Sequence, residues 1–168
     1  MKAGKSIAAS EISENADNDN KYVCYGANGA RGYVKMKSHN GNYPIIGRQG
    51  ALCGNVSFAS GEFYATEHAV VVEPGKEYDA RFLYHLLISA NLNQYKTAGA
   101  QPGLSVARLE QVELPVPSIE EQRRIVSILD RFDTLCNDIT TGLPAEIAAR
   151  QKQYEYYRDK LLTFRKLS

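Results

Sequence analysis

Up to about residue 117 the apolar positions come in short runs broken by glycine-rich turns. The runs read as strands over Tyr22 to Tyr25, Gly32 to Met36, Tyr43 to Ile46, Leu52 to Phe58 and the β-branched Ala69 to Val72. One stretch changes period: between Ala80 and Leu92 the residues Phe82, Leu83, Leu86, Leu87 and Ile88 make one apolar helical face, and a shorter helical turn follows Ser105. Asn28-Gly29 and Asn40-Gly41 are strong turn signals, the second flanked by segments able to pair as a hairpin. The polar segment ending at Asn20 reads as a surface loop.

After Pro115 and Pro117 the pattern changes, because Ser118 followed three residues later by Glu121 is a capping-box start to a helix. Ile125, Ile128, Phe132, Leu135 and Ile139 then recur at heptad spacing. Beyond Gly142-Leu143-Pro144 the alternation resumes in Ile147, Tyr154, Tyr157 and Leu161. Pro144 removes a backbone donor and disfavours helix at Leu143, so the region is either a hairpin or one kinked rod. Continuity of the stripe through Ile139, Leu143 and Ile147 leans toward the rod. Such a stripe wants another helix, although packing on the chain's own first domain is the alternative. The expected class is therefore α+β: a mixed, β-rich domain over residues 1–117, then a long coiled-coil-forming helical region over 118–168.

Composition narrows the classes. With 168 residues, 43% of them hydrophobic and 23% charged, the chain has globular usage and should fold around one main core. No run is long and apolar enough for a membrane span, and the first thirty residues lack the apolar stretch of a signal peptide. Three cysteines, Cys24, Cys53 and Cys136, with no C-x-x-C pair, fit a reducing compartment and argue against zinc or a disulfide framework. A cytoplasmic location is expected.

The formal net charge of +1 hides an uneven layout. Residues 20–61 hold Lys21, Arg31, Lys35, Lys37 and Arg48 and no acid. A second acid-free window, 80–109, holds Arg81, Lys96 and Arg108. Cations interleaved with tyrosines and glycines suggest loops able to approach a phosphate backbone, with a solvated basic face as the alternative.

Reactive arrays are missing from the sequence. His39, His68 and His85 form no H-E-x-x-H array, G-x-S-x-G is absent, and no Glu is followed two positions later by Lys. Gly26, Gly29 and Gly32 make G-x-x-G-x-x-G rather than a dinucleotide fingerprint. Glu67-His68 resembles an acid and base pair, but neighbours in a strand point to opposite faces, which favours a buried or partner-satisfied His68. Two glycine-flanked polar clusters remain, residues 26–32 with Asn28 and Arg31, and residues 47–50 with Arg48 and Gln49. Arg pairs bidentately with guanine and Asn or Gln with adenine, so both could read bases. The structural alternative is that the glycines serve turns while Arg48 and Gln49 bond carbonyls inside the fold.

At this point the sequence resembles the specificity subunits of type I restriction-modification systems. The blocks that carry the likeness are Gly29-Ala-Arg-Gly-Tyr-Val34, Ile46-Gly-Arg-Gln-Gly-Ala-Leu-Cys-Gly-Asn-Val56, Ala65-Thr-Glu-His-Ala-Val-Val71, Ala100-Gln-Pro-Gly-Leu-Ser105 and Pro115-Val-Pro-Ser-Ile-Glu-Glu-Gln122, with a helical block from Gly142 to Leu162. The resemblance implies a target recognition domain up to about residue 117 that reads one half of a bipartite DNA site, followed by a helical spacer. It implies no catalysis and no cofactor in this chain: methyl transfer from S-adenosylmethionine and ATP-driven cleavage belong to separate modification and restriction subunits.

Complete family members carry two recognition domains and two helical regions, whereas this sequence has one of each. It is expected to be half a subunit, either rebuilt into a pair by a second copy joined through the helices, or a truncated or rearranged fragment. The expected partners are double-stranded DNA, a second copy of the chain, and the modification and restriction subunits, with no membrane. Expected DNA contacts are Asn28, Arg31, Lys35, Lys37, Arg48, Gln49, Lys96 and Gln101. The expected helix seam is Ile125, Ile128, Phe132, Leu135, Ile139, Ile147, Tyr154, Tyr157 and Leu161. A non-catalytic protein-interaction scaffold is the runner-up, and an independent nuclease comes third.

Overall fold

The computed structural model describes residues 1–50, 52–97, 102–132, 152, 153 and 156. The chain divides into two compact units, Met1–Val126 and Ser127–Ser168. In the first, the described strands form two sheets of four. One has the order β1 (Lys2–Ala3), β8 (Ala69–Val71), β5 (Tyr43–Gly47), β6 (Val56–Ala59). The other has the order β3 (Gly29–Val34), β2 (Tyr22–Gly26), β7 (Glu62–Ala65), β4 (His39–Asn40). β2 and β7 run parallel, and every other pairing among the described strands is antiparallel.

Side chains alternate across a strand, so the apolar runs serve two cores at once. Ile45, Ala59, Phe63, Ala65, Ala69 and Val71 form one core cluster, with Tyr25 and Tyr43 packed against it. These residues come from both sheets, which places the cluster between them. Their neighbours Ile46, Val56 and Val70 join Leu87, Leu92, Leu104 and Leu109 in a second cluster, under the helices. Cys24, Val34 and Tyr64 meet Ile7 and Ile12 of the N-terminal segment in a third. Each large apolar side chain so enclosed contributes about 1.5–3 kcal/mol.

The helix α1 (Ala80–Ser89) lies against β5 and β6 and buries Phe82 and Leu87. It starts where it does because the Asp79 carboxylate accepts from the amides of Arg81 (2.9 Å) and Phe82 (3.0 Å), two donors that a helix start leaves without partners. A 3₁₀ turn over Leu92–Tyr95 follows, and α2 (Val106–Leu109) is capped by Ser105.

Residues 119–132 are helical. The Glu121 amide lies 3.4 Å from Ser118 Oγ, so half of the expected capping box forms. The Glu121 carboxylate instead holds Arg124, through Nε (2.8 Å) and Nη2 (2.6 Å), which keeps its pKa below the usual carboxylate value. Gln122 has no exposed surface; it donates to the carbonyls of Glu77 (3.0 Å) and Pro117 (2.9 Å) and accepts from the Asp79 amide (2.8 Å).

Several expectations are corrected. Asn40-Gly41 does not close a hairpin: β4 pairs with β7 in one sheet while β5 pairs with β6 and β8 in the other, so this turn is a crossing between sheets. The strand expected over Leu52 to Phe58 begins only at Val56, after a turn at residues 52–54. The strand expected over Gly32 to Met36 is Gly29–Val34.

Candidate functional site

Strand register decides which polar side chains meet. Gly26 is opposite Gly29 at one end of the β2–β3 hairpin and Tyr22 opposite Val34 at the other. Gly47 pairs with Ala69. Its backbone also lies so close to the Ala27 carbonyl that any β-carbon at Gly47 would collide with it. The Thr66 amide donates to the Tyr25 carbonyl (2.9 Å), and the Arg48 amide to the His68 carbonyl (3.0 Å). The Leu104 amide donates to the Arg48 carbonyl (2.8 Å), and Gln49 bridges to Gly103. Four segments, 26–31, 47–50, 66–68 and 102–104, are thereby stitched together at one end of the two sheets.

Arg31 owes its aim to a register shift. Cys24 is opposite Gly32 and Tyr25 opposite Ala30, which leaves Arg31 unpaired in a β-bulge. A bulge redirects the side chain it carries. The chain turns there through Gly32 at φ 145°, and the Arg31 side chain folds back over Gly26. Arg31 and Asn28 are exposed, and Arg48 and Gln49 are half-buried. These four expected DNA-contacting residues share one end of the fold.

Lys35 and Lys37 do not join them. They follow the far end of β3, about 16 Å along the strand from Gly29 at a rise of about 3.3 Å per residue. Lys35 pairs with Asp19 at 3.6 Å, and Lys37 with Glu62, whose hydrogen bond raises the Lys37 pKa. Lys96 borders the loop end, because the Thr97 amide next to it donates to the Gly103 carbonyl (2.9 Å), and it lines an open hollow with Arg108, whose Nη1 donates to the Tyr95 carbonyl (3.3 Å). Gln101 lies outside the described residues.

Two further side chains belong to the loop end. Glu67 and His68 occupy a turn between β7 and β8, so strand alternation does not separate them, and His68 Nε2 lies 3.4 Å from Glu67 Oε1. Ser6 Oγ donates to the same oxygen at 3.3 Å. Arg48 Nε, Glu67 Oε2 and His68 Nδ1 are enclosed without a hydrogen-bond partner among the described residues. Burial pushes the Cys24 thiol pKa up, with Arg31 lowering it and Glu67 raising it from nearby. The loop end offers guanidinium, amide, imidazole and carboxylate groups on loops whose backbones are bonded to one another. Among the described residues no cluster of three or more His, Cys, Asp or Glu is placed to hold a metal ion. No helix among them is long and apolar enough to cross a membrane.

Of the expected helix seam, Ile125 is half-buried, Ile128 is 40% exposed and Phe132 is 60% exposed. Leu135, Ile139, Ile147, Tyr154, Tyr157 and Leu161 lie outside the described residues, as does the choice between a rod and a hairpin at Pro144.

Comparison with known proteins gives consistent matches. The type I restriction modification DNA specificity domain matches residues 1–149. The chain is similar to the EcoprrI type I restriction enzyme specificity subunit of Escherichia coli, 55% identical over 142 residues that make up 83% of this chain and 35% of that one. It is also similar to the MpnII type I restriction enzyme specificity subunit of Mycoplasma pneumoniae, 30% identical over 98% of this chain and 50% of that one. The chain thus spans a third to a half of the length of these relatives. In fold it resembles the crystal structure of a type I restriction-modification system S subunit from M. genitalium, with a TM-score of 0.65, 20% identity, and coverage of 95% of this chain and 42% of that one.

Proposed function

The chain belongs to the type I restriction-modification DNA specificity family, and from that premise we propose that it is a non-catalytic DNA-specificity half-subunit acting in the cytoplasm. Residues 1–117 are its recognition domain and residues 118–168 its helical spacer and dimerisation region, a long coiled coil. Two copies, joined through a seam that includes Ile125, Ile128 and Phe132, set two recognition domains apart on a split site. The assembly docks modification subunits, which supply the methyl transfer, and restriction subunits, which supply the cleavage.

The observation that carries this reading is the gathering of Asn28, Arg31, Arg48 and Gln49 on stitched loops at one end of the sheets. Guanidinium and amide side chains of this kind match guanine and adenine edges in the major groove, and flanking glycines let the loops descend toward them. Lys96, beside that end, and Gln101 serve the phosphate backbone. Lys35 and Lys37, turned to Asp19 and Glu62, are peripheral. With a formal charge of only +1, the chain binds duplex weakly alone and relies on the modification subunits to enclose it.

Sequencing of methylated sites in cells that express the chain with its modification subunits tests the reading. A bipartite motif with one half repeated in inverted orientation is expected. Methylation unchanged by deleting the chain, together with indifference of the assembly to DNA sequence, overturns it.

A further inference from the structure

We propose that Arg108, together with Lys96, clamps a backbone phosphate of one DNA strand beside the half-site. This deepens, and rests on, the reading of the chain as a DNA-specificity half-subunit.

The two cations line one open hollow with Gln94, Tyr95, Gln111 and Val112. The lining has two cations, three neutral side chains able to donate, and no acid. Phosphate oxygens are bound by these side-chain types, Arg and Lys for charge and Gln and Tyr for neutral hydrogen bonds. Both cations are exposed, and neither forms an ion pair among the described residues. In contrast, Lys2, Lys35, Lys37 and Arg124 each hold an acid. The acid nearest to Arg108 in sequence, Glu110, is turned to the Met1 amino group at 3.9 Å.

The hollow is also built onto the loop end. Ahead of Tyr95, Asn93 Nδ2 donates to the Cys53 carbonyl (2.7 Å). Beyond Lys96, the Thr97 amide donates to the Gly103 carbonyl (2.9 Å), and Thr97 Oγ1 accepts from the Gly103 amide (3.1 Å). Gly103 bridges to Gln49, the Leu104 amide bonds the Arg48 carbonyl, and Ser105 caps the short helix that carries Arg108. The guanidinium is steadied by its bond to the Tyr95 carbonyl, which uses one N–H of the fork and leaves the others for a ligand. Loops that enter a groove have a phosphate strand on either side of them. Cations fixed beside the reading loops therefore meet backbone, adding affinity and register but no letter of the sequence.

The test uses Arg108→Ala and Lys96→Ala, each in the full chain assembled with its modification subunits, titrated onto cognate and random duplex over a range of salt. Loss of one phosphate contact should flatten the plot of log affinity against log salt by about 0.9. Affinity should fall roughly 5-fold at about 0.15 M salt, equally on both duplexes, and the methylated motif should not change. Arg108→Lys should keep the slope and bind more weakly than the wild type, because a point charge replaces the fork. Independently of any variant, phosphates of the cognate duplex are to be replaced one at a time by uncharged methylphosphonates. The wild-type assembly should be sensitive at a position beside the half-site, and Arg108→Ala should abolish that sensitivity. Unchanged slope and affinity, a motif altered at one position, or a variant that fails to recruit the modification subunits, as an acidic protein partner in the hollow would give, overturns the proposal while the family reading stands. A wild-type assembly without any sequence preference overturns both.

Discussion

The stem of Arg31 occupies the space that a side chain on Gly26 would fill: a β-carbon there would collide with Arg31 Cδ. Gly26 does not lie at positive φ, so alanine is not strained there, and the colliding group is the middle of a flexible side chain. Gly26→Ala is therefore expected to fold normally while pushing Arg31 from its course. Arg31→Ala should relax one half-site position by about 1–3 kcal/mol if Arg31 meets a base, or lower affinity evenly if it meets phosphate. Gly26→Ala should reproduce the same pattern more weakly. Methylation-site sequencing and competition binding read both variants, and an unchanged motif in both would remove Arg31 from recognition.

Lys35 and Lys37 supply the contrast. They sit at the opposite end of β3 and are occupied by Asp19 and Glu62. Lys35→Ala with Lys37→Ala is expected to leave the methylated motif unchanged and to alter affinity less than Arg48→Ala does. A larger loss in the lysine pair, measured by fluorescence anisotropy on cognate duplex, would move the interface to that end.

Phe132 is 60% exposed on its helix. A large aromatic in that state on a heptad stripe asks for a partner. If two copies pair as proposed, Phe132→Asp should give a monomer at tens of micromolar by light scattering, with the strand signature in circular dichroism retained. A variant that remains dimeric locates the seam elsewhere.

Gln122 offers a stability test. Replacing it with alanine strands the Asp79 amide and the Glu77 and Pro117 carbonyls, and buried polar groups left unpaired cost about 1–3 kcal/mol each. A loss on the order of 3 kcal/mol in denaturant unfolding is expected for Gln122→Ala. Gln122→Glu should do no better, because a carboxylate keeps the contact with Asp79 but cannot donate to two carbonyls. Full stability in either variant would show that the clasp is idle.

Acid should loosen the inter-sheet core through His39. Its ring stacks on Phe63 (centroids 5.2 Å apart, planes 9° apart) and its Nδ1 meets Ser38 Oγ at 2.7 Å. Burial holds its pKa below the ordinary 6.5, against Glu73, which raises it, and with Lys2 and Lys5, which lower it. A base with a depressed folded-state pKa favours folding above its unfolded value, and that contribution is lost as pH falls. The melting temperature should decline from about pH 6.5 downward, and His39→Gln should flatten that part of the profile. An identical acid limb in the variant would assign it to other groups.

What the sequence discloses follows from how local each signal is. β2, β5, β8 and α1 are legible because a run of apolar residues, a period and a capping Asp79 lie within a few positions of one another. β4 is two residues long and β7 hides Phe63, Tyr64 and Ala65 behind an acid, so neither stands out. The Asn40-Gly41 signal correctly marks a turn, but a turn does not name the strands it joins, and here they belong to different sheets. Counting charge along the chain groups Lys35 and Lys37 with Arg31. In space the acids bordering that window, Asp19 and Glu62, come back to meet the two lysines. The bulge that aims Arg31 and the turn that brings Glu67 to His68 depend on pairing between distant segments, which no local pattern encodes.

The contact of Gly47 with the Ala27 carbonyl joins two loops through backbone alone. A joint with no side chain in it is indifferent to the letters on either side. Substitutions at Asn28, Arg31, Arg48 and Gln49 can accumulate without shifting the hinge that holds them. New target sequences should therefore be reachable by randomising those four positions with Gly47 kept, whereas a single methyl group at position 47 would cost every variant its alignment.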